Sequence, residues 1–402
     1  MRPAIASAAL MAAVAAAGAA GRAEANHRFT LHAENSSYPE AAIRIMAPWN
    51  LAAGTWLFTS DAGCGYCQAV PVGTQMSIML IMAPLNEGEK RTYTLLEHLS
   101  DAPTICAAST EGGDVFIRVG QALFTRYQTH GGPNKPFFYP ILDGDGHALT
   151  RHYPMENVPG ESHDHPHHRG LWFTHGDVNG VDYWSEGRNT GRTINTGFSQ
   201  VYSGPVCAGF TAQTAWIQPD GQHVADDTRG VTVYLLSDGT RVMDFDVTVT
   251  PVARALVFGD TKEGSFGMRV PDTLCPSRDP EARMTASDGK VDGQIWGTRQ
   301  DWVDYTGPVH GELWGITMMD APHNLRHPET WHARDYGLFA ANPFGLHEFL
   351  HQPKGAGDFT LAPGETLHLH YRLLFHPGER TMADLNAQYA AFATPPRLEI
   401  DR

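Results

Sequence analysis

The chain has 402 residues, 42% of them apolar and 18% charged, with nine tryptophans. That is too apolar and aromatic for a disordered protein, and neither Gly nor Pro follows a collagen period. With 29 Lys and Arg against 44 Asp and Glu, the net charge of −15 argues against nucleic acid as a partner.

Residues 1–25 read as a secretory signal. Arg2 gives a positive start, an Ala-rich apolar stretch runs from Ala4 to Ala20, and Ala23-Glu24-Ala25 places small residues before a cut. The expected location is therefore periplasmic or secreted. No later segment is apolar enough to insert, so no membrane span is expected after signal cleavage. Export permits disulfides. Five cysteines follow (Cys64, Cys67, Cys106, Cys207 and Cys275), and an odd number leaves at least one outside an internal bridge. Cys64-Gly-Tyr-Cys67 has CxxC spacing but lacks the second pair of a zinc ribbon and the βαβ setting of a redox motif. A local structural bridge is the expectation.

Residues 26–118 alternate short apolar runs with turn residues, as in Ala42–Met46 and Met76–Met82, and predict a small N-terminal β-sandwich. From 119 to 402 the strands lengthen, and a large antiparallel β-supersandwich is expected, all-β apart from a C-terminal helix. Asp143-Gly-Asp-Gly146 reads as a hairpin turn. In Arg241–Thr250, Met243, Phe245, Val247 and Val249 share one face while Asp244, Asp246 and Thr248 share the other. Leu367, Leu369, Tyr371, Leu373 and Phe375 alternate with His368, His370 and Arg372 in the same way, the pattern of half-buried antiparallel strands. Thr381, with Asp384 three residues on, can cap a helix carrying Met382, Leu385, Tyr389 and Phe392 until Pro395.

The 21 histidines are uneven. The first cluster is Glu161-Ser-His-Asp-His-Pro-His-His-Arg-Gly170, with Trp172, His175, Asp177 and Trp184 following. Pro166 and Gly170 break regular structure, so His165, His167 and His168 fall on a loop or strand end. There, imidazoles suit metal ligation, proton transfer or hydrogen bonds to hydroxyls. The second cluster runs from His323 through His327, His332 and Arg334-Asp335 to Asn342, and Arg334 with Asp335 could be a buried pair that holds the loop. His347-Glu-Phe-Leu-His351 matches HExxH, but Pro343, Gly345 and Pro353 crowd the helix that this motif requires. A strand or loop is expected there. Glu263 and Arg269 lie on a predicted strand, either facing a cleft or forming an ordinary edge. There is no Gly-rich phosphate loop and no Gly-x-Ser-x-Gly elbow.

Lys135-Pro-Phe-Phe-Tyr-Pro140, His165-Pro-His-His-Arg-Gly-Leu-Trp172, His175-Gly-Asp-Val-Asn-Gly-Val-Asp-Tyr-Trp184, Trp302-Val-Asp-Tyr-Thr-Gly-Pro308 and Arg334-Asp-Tyr-Gly-Leu-Phe-Ala-Ala-Asn-Pro-Phe-Gly345 together resemble the bacterial methane oxygenase PmoA-like domain-of-unknown-function family. The resemblance covers about residues 120–378. It implies a galactose-mutarotase-like supersandwich, as in sugar epimerases, polysaccharide lyases and some glycoside hydrolases. In that fold a concave sheet face holds the sugar, and His and a carboxylate move protons. The oxygenase of the family name does not carry over, because that membrane subunit is built of spanning helices.

The expected function is thus an exported carbohydrate-active enzyme of mutarotase, lyase or hydrolase type, acting on a saccharide or glycoside without a cofactor. The catalytic candidates are His165, His168, Asp177 and Glu263. The substrate-binding candidates are His167, Arg169, Trp172, His175, His332, Arg334 and Asn342. Two alternatives stand beside it. One is a metal enzyme with one transition metal on His165, His167, His168 and His175. The other is a non-catalytic glycan-binding envelope protein.

Overall fold

The computed structural model describes residues 27–401; the expected signal segment lies outside them. Among the described residues the chain is all-β with two short helices, and no helix is long and apolar enough to cross a membrane. The chain divides into two compact units.

The first unit takes the chain up to Ile105, a short return at Gly204–Cys207, and everything from Ala390 on. Its seven-stranded sheet runs Ala41–Met46, Gln75–Met82, Gly63–Val72, Gly54–Ser60, Lys90–Leu99, Arg28–His32 and Arg397–Ile400. Alternation explains its core. Phe29 and Leu31 point inward, as do Ile43 and Ile45 near the far edge, and all four belong to one buried cluster with Ile78, Leu80, Tyr93 and Leu95. The sheet therefore curls over a single apolar core.

Two expectations are corrected here. Cys64 and Cys67 are not bridged; none of the five cysteines forms a disulfide. Both lie on the strand Gly63–Val72, where residues three apart point to opposite faces. Cys67 is buried while Cys64 is half-exposed, so the CxxC spacing cannot close a local ring on this backbone. The strands Cys106–Glu111 and Asp114–Val119, expected in the small domain, pair instead within a sheet of the second unit. Val119 opposes Ala122 across a tight hairpin, so a boundary at 118/119 would cut a paired ladder.

The second unit is a two-sheet sandwich. One sheet runs Thr330–Ala333, Leu338–Asn342, Gly264–Arg269, Leu171–His175, Phe137–Ile141, Ala122–Gln128, Asp114–Val119 and Cys106–Glu111. The other runs Arg192–Tyr202, Cys207–Ile217, His223–Leu235, Arg241–Pro251, Leu367–Pro377, Glu312–Asp320, Trp302–Val309 and Arg283–Ala286. Their inner faces meet through aromatic pairs: Phe245 with Phe266 at 4.5 Å, Phe266 with Tyr371 at 4.8 Å, Phe124 with Phe375 at 5.4 Å and Tyr305 with Phe339 at 4.5 Å. Face-to-face sheets interdigitate in this manner. The alternation expected for Arg241–Thr250 is present. Phe245 faces the core, and Asp244 opposes Arg372 on the other face, with 2.6 Å between Oδ1 and Nε.

The helix Met382–Ala393 begins at a capping box. Thr381 Oγ1 accepts from the Asp384 amide at 3.1 Å, and Asp384 Oδ2 accepts from the Thr381 amide and hydroxyl.

Candidate functional site

The site is built on the outer face of the first of these two sheets. Register sets one row of residues side by side across five strands: Phe137, Trp172, Gly267, Ala340 and His332. Their neighbours in sequence, Phe138, Phe173, Phe266 and Phe339, point the opposite way, into the sandwich. Gly267 leaves room in the middle of the row. A Cβ there would lie 2.8 Å from the Trp184 ring and 3.1 Å from that of Trp172. The two indoles cover the gap and pack on each other at 4.9 Å.

The histidine run arches onto this platform. His165 has φ +44, which turns the chain just before Pro166 and lets His165, His167 and His168 approach one another. The His165 and His168 rings are parallel, 4.7 Å apart. His167 stands edge-on to His168 at 4.5 Å. His168 in turn stacks on Trp172 at 5.4 Å. The loop closes at Gly170, whose φ is +53 and whose Cβ would lie 2.0 Å from the Phe138 carbonyl oxygen. Only glycine fits there.

Asp164 is the electrostatic keystone of the loop. Arg151 Nη1 donates to it at 2.7 Å, Arg269 Nη2 at 2.8 Å and His165 Nδ1 at 2.9 Å. Burial would raise its carboxyl, but the His165 hydrogen bond and the Arg269 and Arg151 charges hold it well below the usual carboxylate range. Both guanidiniums are fully buried. Arg269 Nη1 also donates to His168 Nδ1 at 3.2 Å. A guanidinium can only donate, so Nδ1 is the acceptor and the proton of neutral His168 sits on Nε2. Burial first, then the neighbouring His167 and Arg269, push this imidazole well below its ordinary pKa, so it stays neutral. His168 Nε2, Trp172 Nε1 and Trp184 Nε1 are all buried without a hydrogen-bond partner. Three donors on mutually packed rings find no acceptor within the chain, and all three atoms are closed off from solvent.

Two ionic groups flank the platform. On one side Arg169 grips Glu186 with both ends of its fork, at 2.7 and 2.9 Å. Buried Lys135 donates to the Trp184 carbonyl at 2.7 Å, and burial pushes its ammonium down to about 8. Burial and then the Lys135 charge push His167 down to about 4. On the other side the Tyr336 ring lies parallel to His165 at 5.2 Å, with the guanidiniums of Arg269 and Arg334 4.9 and 5.4 Å from its centre. Glu263 pairs with Lys262 at 3.1 Å, and its charge acts on the Tyr336 phenol. His332 donates from Nδ1 to the Lys262 carbonyl at 3.0 Å, and burial pushes it down to about 3.

The structure thus gathers His165, His167, His168, Arg169 and Trp172 around one platform, with Glu263, His332 and Arg334 on its Tyr336 side. Three other candidates serve the backbone elsewhere. His175 is fully buried and donates from Nε2 to the Gly259 carbonyl at 2.8 Å; burial pushes it down to about 4. Its side chain has the opposite parity to Trp172 on the same strand. Asp177 closes a turn by accepting from the Gly180 amide at 2.8 Å. Asn342 donates to the Thr261 carbonyl at 3.0 Å and accepts from the Phe344 amide at 2.8 Å. Asp335 is exposed, and Arg334 forms no ion pair with it. Among the described residues no three His, Cys, Asp or Glu side chains are gathered in a metal-binding group.

The first four residues of HExxH fall on a helix, not the expected strand or loop, but a helix of five residues, Leu346–Leu350, and His351 follows it with φ +55. Asp260 meets the His347 amide at 2.9 Å to start it. His347 Nδ1 pairs with the Gln352 carbonyl at 2.7 Å, and Glu348 accepts from the Lys262 amide. The motif braces the loop that carries Glu263.

Sequence reasoning passed over Arg151, Tyr336, Lys135 and Glu186 as site residues and left Arg269 undecided. The pattern Phe266-Gly-Met-Arg269 did hold a signal. Phe266 and Met268 are core-type residues, and alternation then puts Arg269 on the opposite face.

A family model described as a family of unknown function, DUF6807, matches residues 114–390. No curated protein matches the chain. The matched span contains the site residues described above, and the chain belongs to the DUF6807 family.

Proposed function

We propose that this chain is an exported carbohydrate-active enzyme, and that its saccharide lies on the outer sheet face against the 165–168 loop. The observation that carries this reading is the set of orphan donors, His168 Nε2, Trp172 Nε1 and Trp184 Nε1. Sugars offer dense hydroxyl and ring-oxygen acceptors beside C–H faces that pack on aromatic rings. A buried donor left unmet costs about 1–3 kcal/mol, so a ligand that parts the 165–168 loop from the platform and satisfies several gains both affinity and orientation.

The two stacked imidazoles have opposite character. Asp164 is ionised and can only accept, so His165 donates to it from Nδ1, and in its neutral form the imidazole presents a lone pair at Nε2. His168 presents an N–H at its own Nε2. One can take a proton from a substrate, and the other donates a hydrogen bond to an oxygen that gains charge. Asp164 orients the base, as a carboxylate behind a catalytic histidine does. Paired-carboxylate hydrolysis has less support, because Asp164 is shared by two arginines and a histidine and Glu263 by a lysine. The reading is therefore of mutarotase or lyase type.

The test is a panel of mono- and oligosaccharides, followed by polarimetry for anomer exchange and ultraviolet absorbance for new double bonds. Turnover by the native chain should fall about 10²- to 10⁴-fold in His165→Ala. Turnover left intact in both His165→Ala and His168→Gln would overturn the assignment.

A further inference from the structure

Among the described residues, Arg334 is the one cation beside Tyr336 that no carboxylate answers. Lys262 faces Glu263 at 3.1 Å and Glu348 at 3.6 Å, and Arg151 and Arg269 share Asp164. Arg334 makes no side-chain hydrogen bond or ion pair with any described residue, in a protein whose net charge is −15. Its backbone is nevertheless held at both ends of a turn. The turn joining Thr330–Ala333 to Leu338–Asn342 is closed by Gly337, whose amide donates to the Arg334 carbonyl at 2.8 Å. The buried Tyr305 hydroxyl holds the same turn, 3.0 Å from the Arg334 carbonyl oxygen and 2.9 Å from that of Leu338. The guanidinium then packs on two rings, 5.8 Å from the centre of Trp296 and 5.4 Å from that of Tyr336. Stacking of this kind fixes the plane of the fork and leaves its N–H edge free to donate.

A second observation lies on the other contacts of the same two rings. The Nε–H of Arg269, a fully buried residue whose guanidinium lies over the same Tyr336 ring, has no partner. The indole N–H of Trp296, beneath Arg334, has none either. A neutral hydroxyl can satisfy an N–H, but it leaves the guanidinium charge uncompensated. A planar or tetrahedral anion satisfies both.

We infer that the site takes acidic saccharides, with the anionic substituent of the sugar bound by Arg334 on the Tyr336 side of the platform. This rests on the saccharide reading above and adds the charge of the substrate to it. Tyr336 links the two regions, since it contacts Arg334, Arg269 and His165 at once. An anion held there places the adjoining sugar ring beside His165. A carboxylate and a sulfate ester share the required chemistry.

The experiment is calorimetric titration of the full chain with size-matched uronate, sulfated and neutral oligosaccharides, for the native protein, Arg334→Gln and Arg334→Lys. Native protein should bind a uronate or a sulfated sugar at least tenfold tighter than its neutral counterpart. Arg334→Gln should lose roughly 10- to 100-fold of that affinity, and Arg334→Lys should recover part of it. All melting curves should stay close to native, because the side chain makes no hydrogen bond or ion pair within the chain and only its packing on the two rings changes. Preference for the uronate or for the sulfated sugar identifies the anion. Neutral sugars bound as tightly as acidic ones, or an acidic-to-neutral ratio unchanged in Arg334→Gln, would overturn the inference and leave the saccharide reading standing. Failure of all three classes to bind a natively melting protein would sink both.

Discussion

His168 shows how much chemistry one buried ring acquires from its neighbours. Arg269 selects its tautomer, Asp164 neutralises Arg269, and Arg151 shares that carboxylate. Asp164→Asn should therefore strand two buried guanidiniums. Breaking a buried pair costs about 3–5 kcal/mol. About a third of the Asp164 side chain is exposed, so the expectation is about 2–3 kcal/mol, at the lower end after screening. Urea unfolding measures it, and a loss under 1 kcal/mol would refute the keystone role. Asp177→Asn removes a carboxylate with no contact to the platform and should leave saccharide turnover unchanged. The dense His165–Trp172 run was legible in the sequence because its members are neighbours in the chain. Arg151, Arg269 and Tyr336 were not, because they come from separate segments and only register brings them together.

Among the elements, the five-strand row matters most, because it turns alternation into a binding surface. Strand existence and inner faces could be read from period-two patterns, as at Met243–Val249. The outer row could not, because its members follow from pairing register, which no single strand encodes. Spacing motifs misled wherever the backbone was not the one they assume. CxxC lies on a strand, where its two thiols diverge, and HExxH runs off the end of a helix of five residues, with His351 outside it. Glycine positions yield the clearest prediction here. Gly170→Ala forces a Cβ against the Phe138 carbonyl in a left-handed backbone. It should destabilise the second unit by about 2 kcal/mol or more and weaken saccharide binding by shifting the loop that begins at Asp164. Thermal melts and the titrations above check both effects, and a fully native melt would contradict the assignment of that turn.

For the chain as a whole, the unbridged cysteines and the buried histidines make two predictions. Burial pushes the Cys67, Cys106 and Cys275 thiols up to about 12 and Cys207 is fully buried too, so only Cys64 is placed to react. A thiol reagent should modify one cysteine in the native chain and the remaining four only after denaturation. A bridged Cys64–Cys67 pair would instead leave both unreactive without reductant. His175 and His332 are held neutral by burial, at about 4 and about 3. Their folded values lie below the unfolded one, so they contribute stability above pH ~6.5 and lose it as pH falls through the window below, at about 1 kcal/mol per unit for each group. Asp164 adds to this loss in more acid solution. His152 and His327, raised by their hydrogen bonds to Glu161 and Asp320, oppose it in part. The melting temperature should therefore fall steadily from pH 7 to 4.5, and more shallowly in His175→Asn. The most direct test of the saccharide site is the indole N–H region of the nitrogen-15 NMR spectrum during titration with an oligosaccharide panel. The Trp172 and Trp184 indole signals, assigned by substitution, should shift downfield on binding as they gain acceptors, while Trp216, already bonded to Asp227 at 2.7 Å, stays fixed. Saccharide binding that leaves both indoles unmoved would contradict the account.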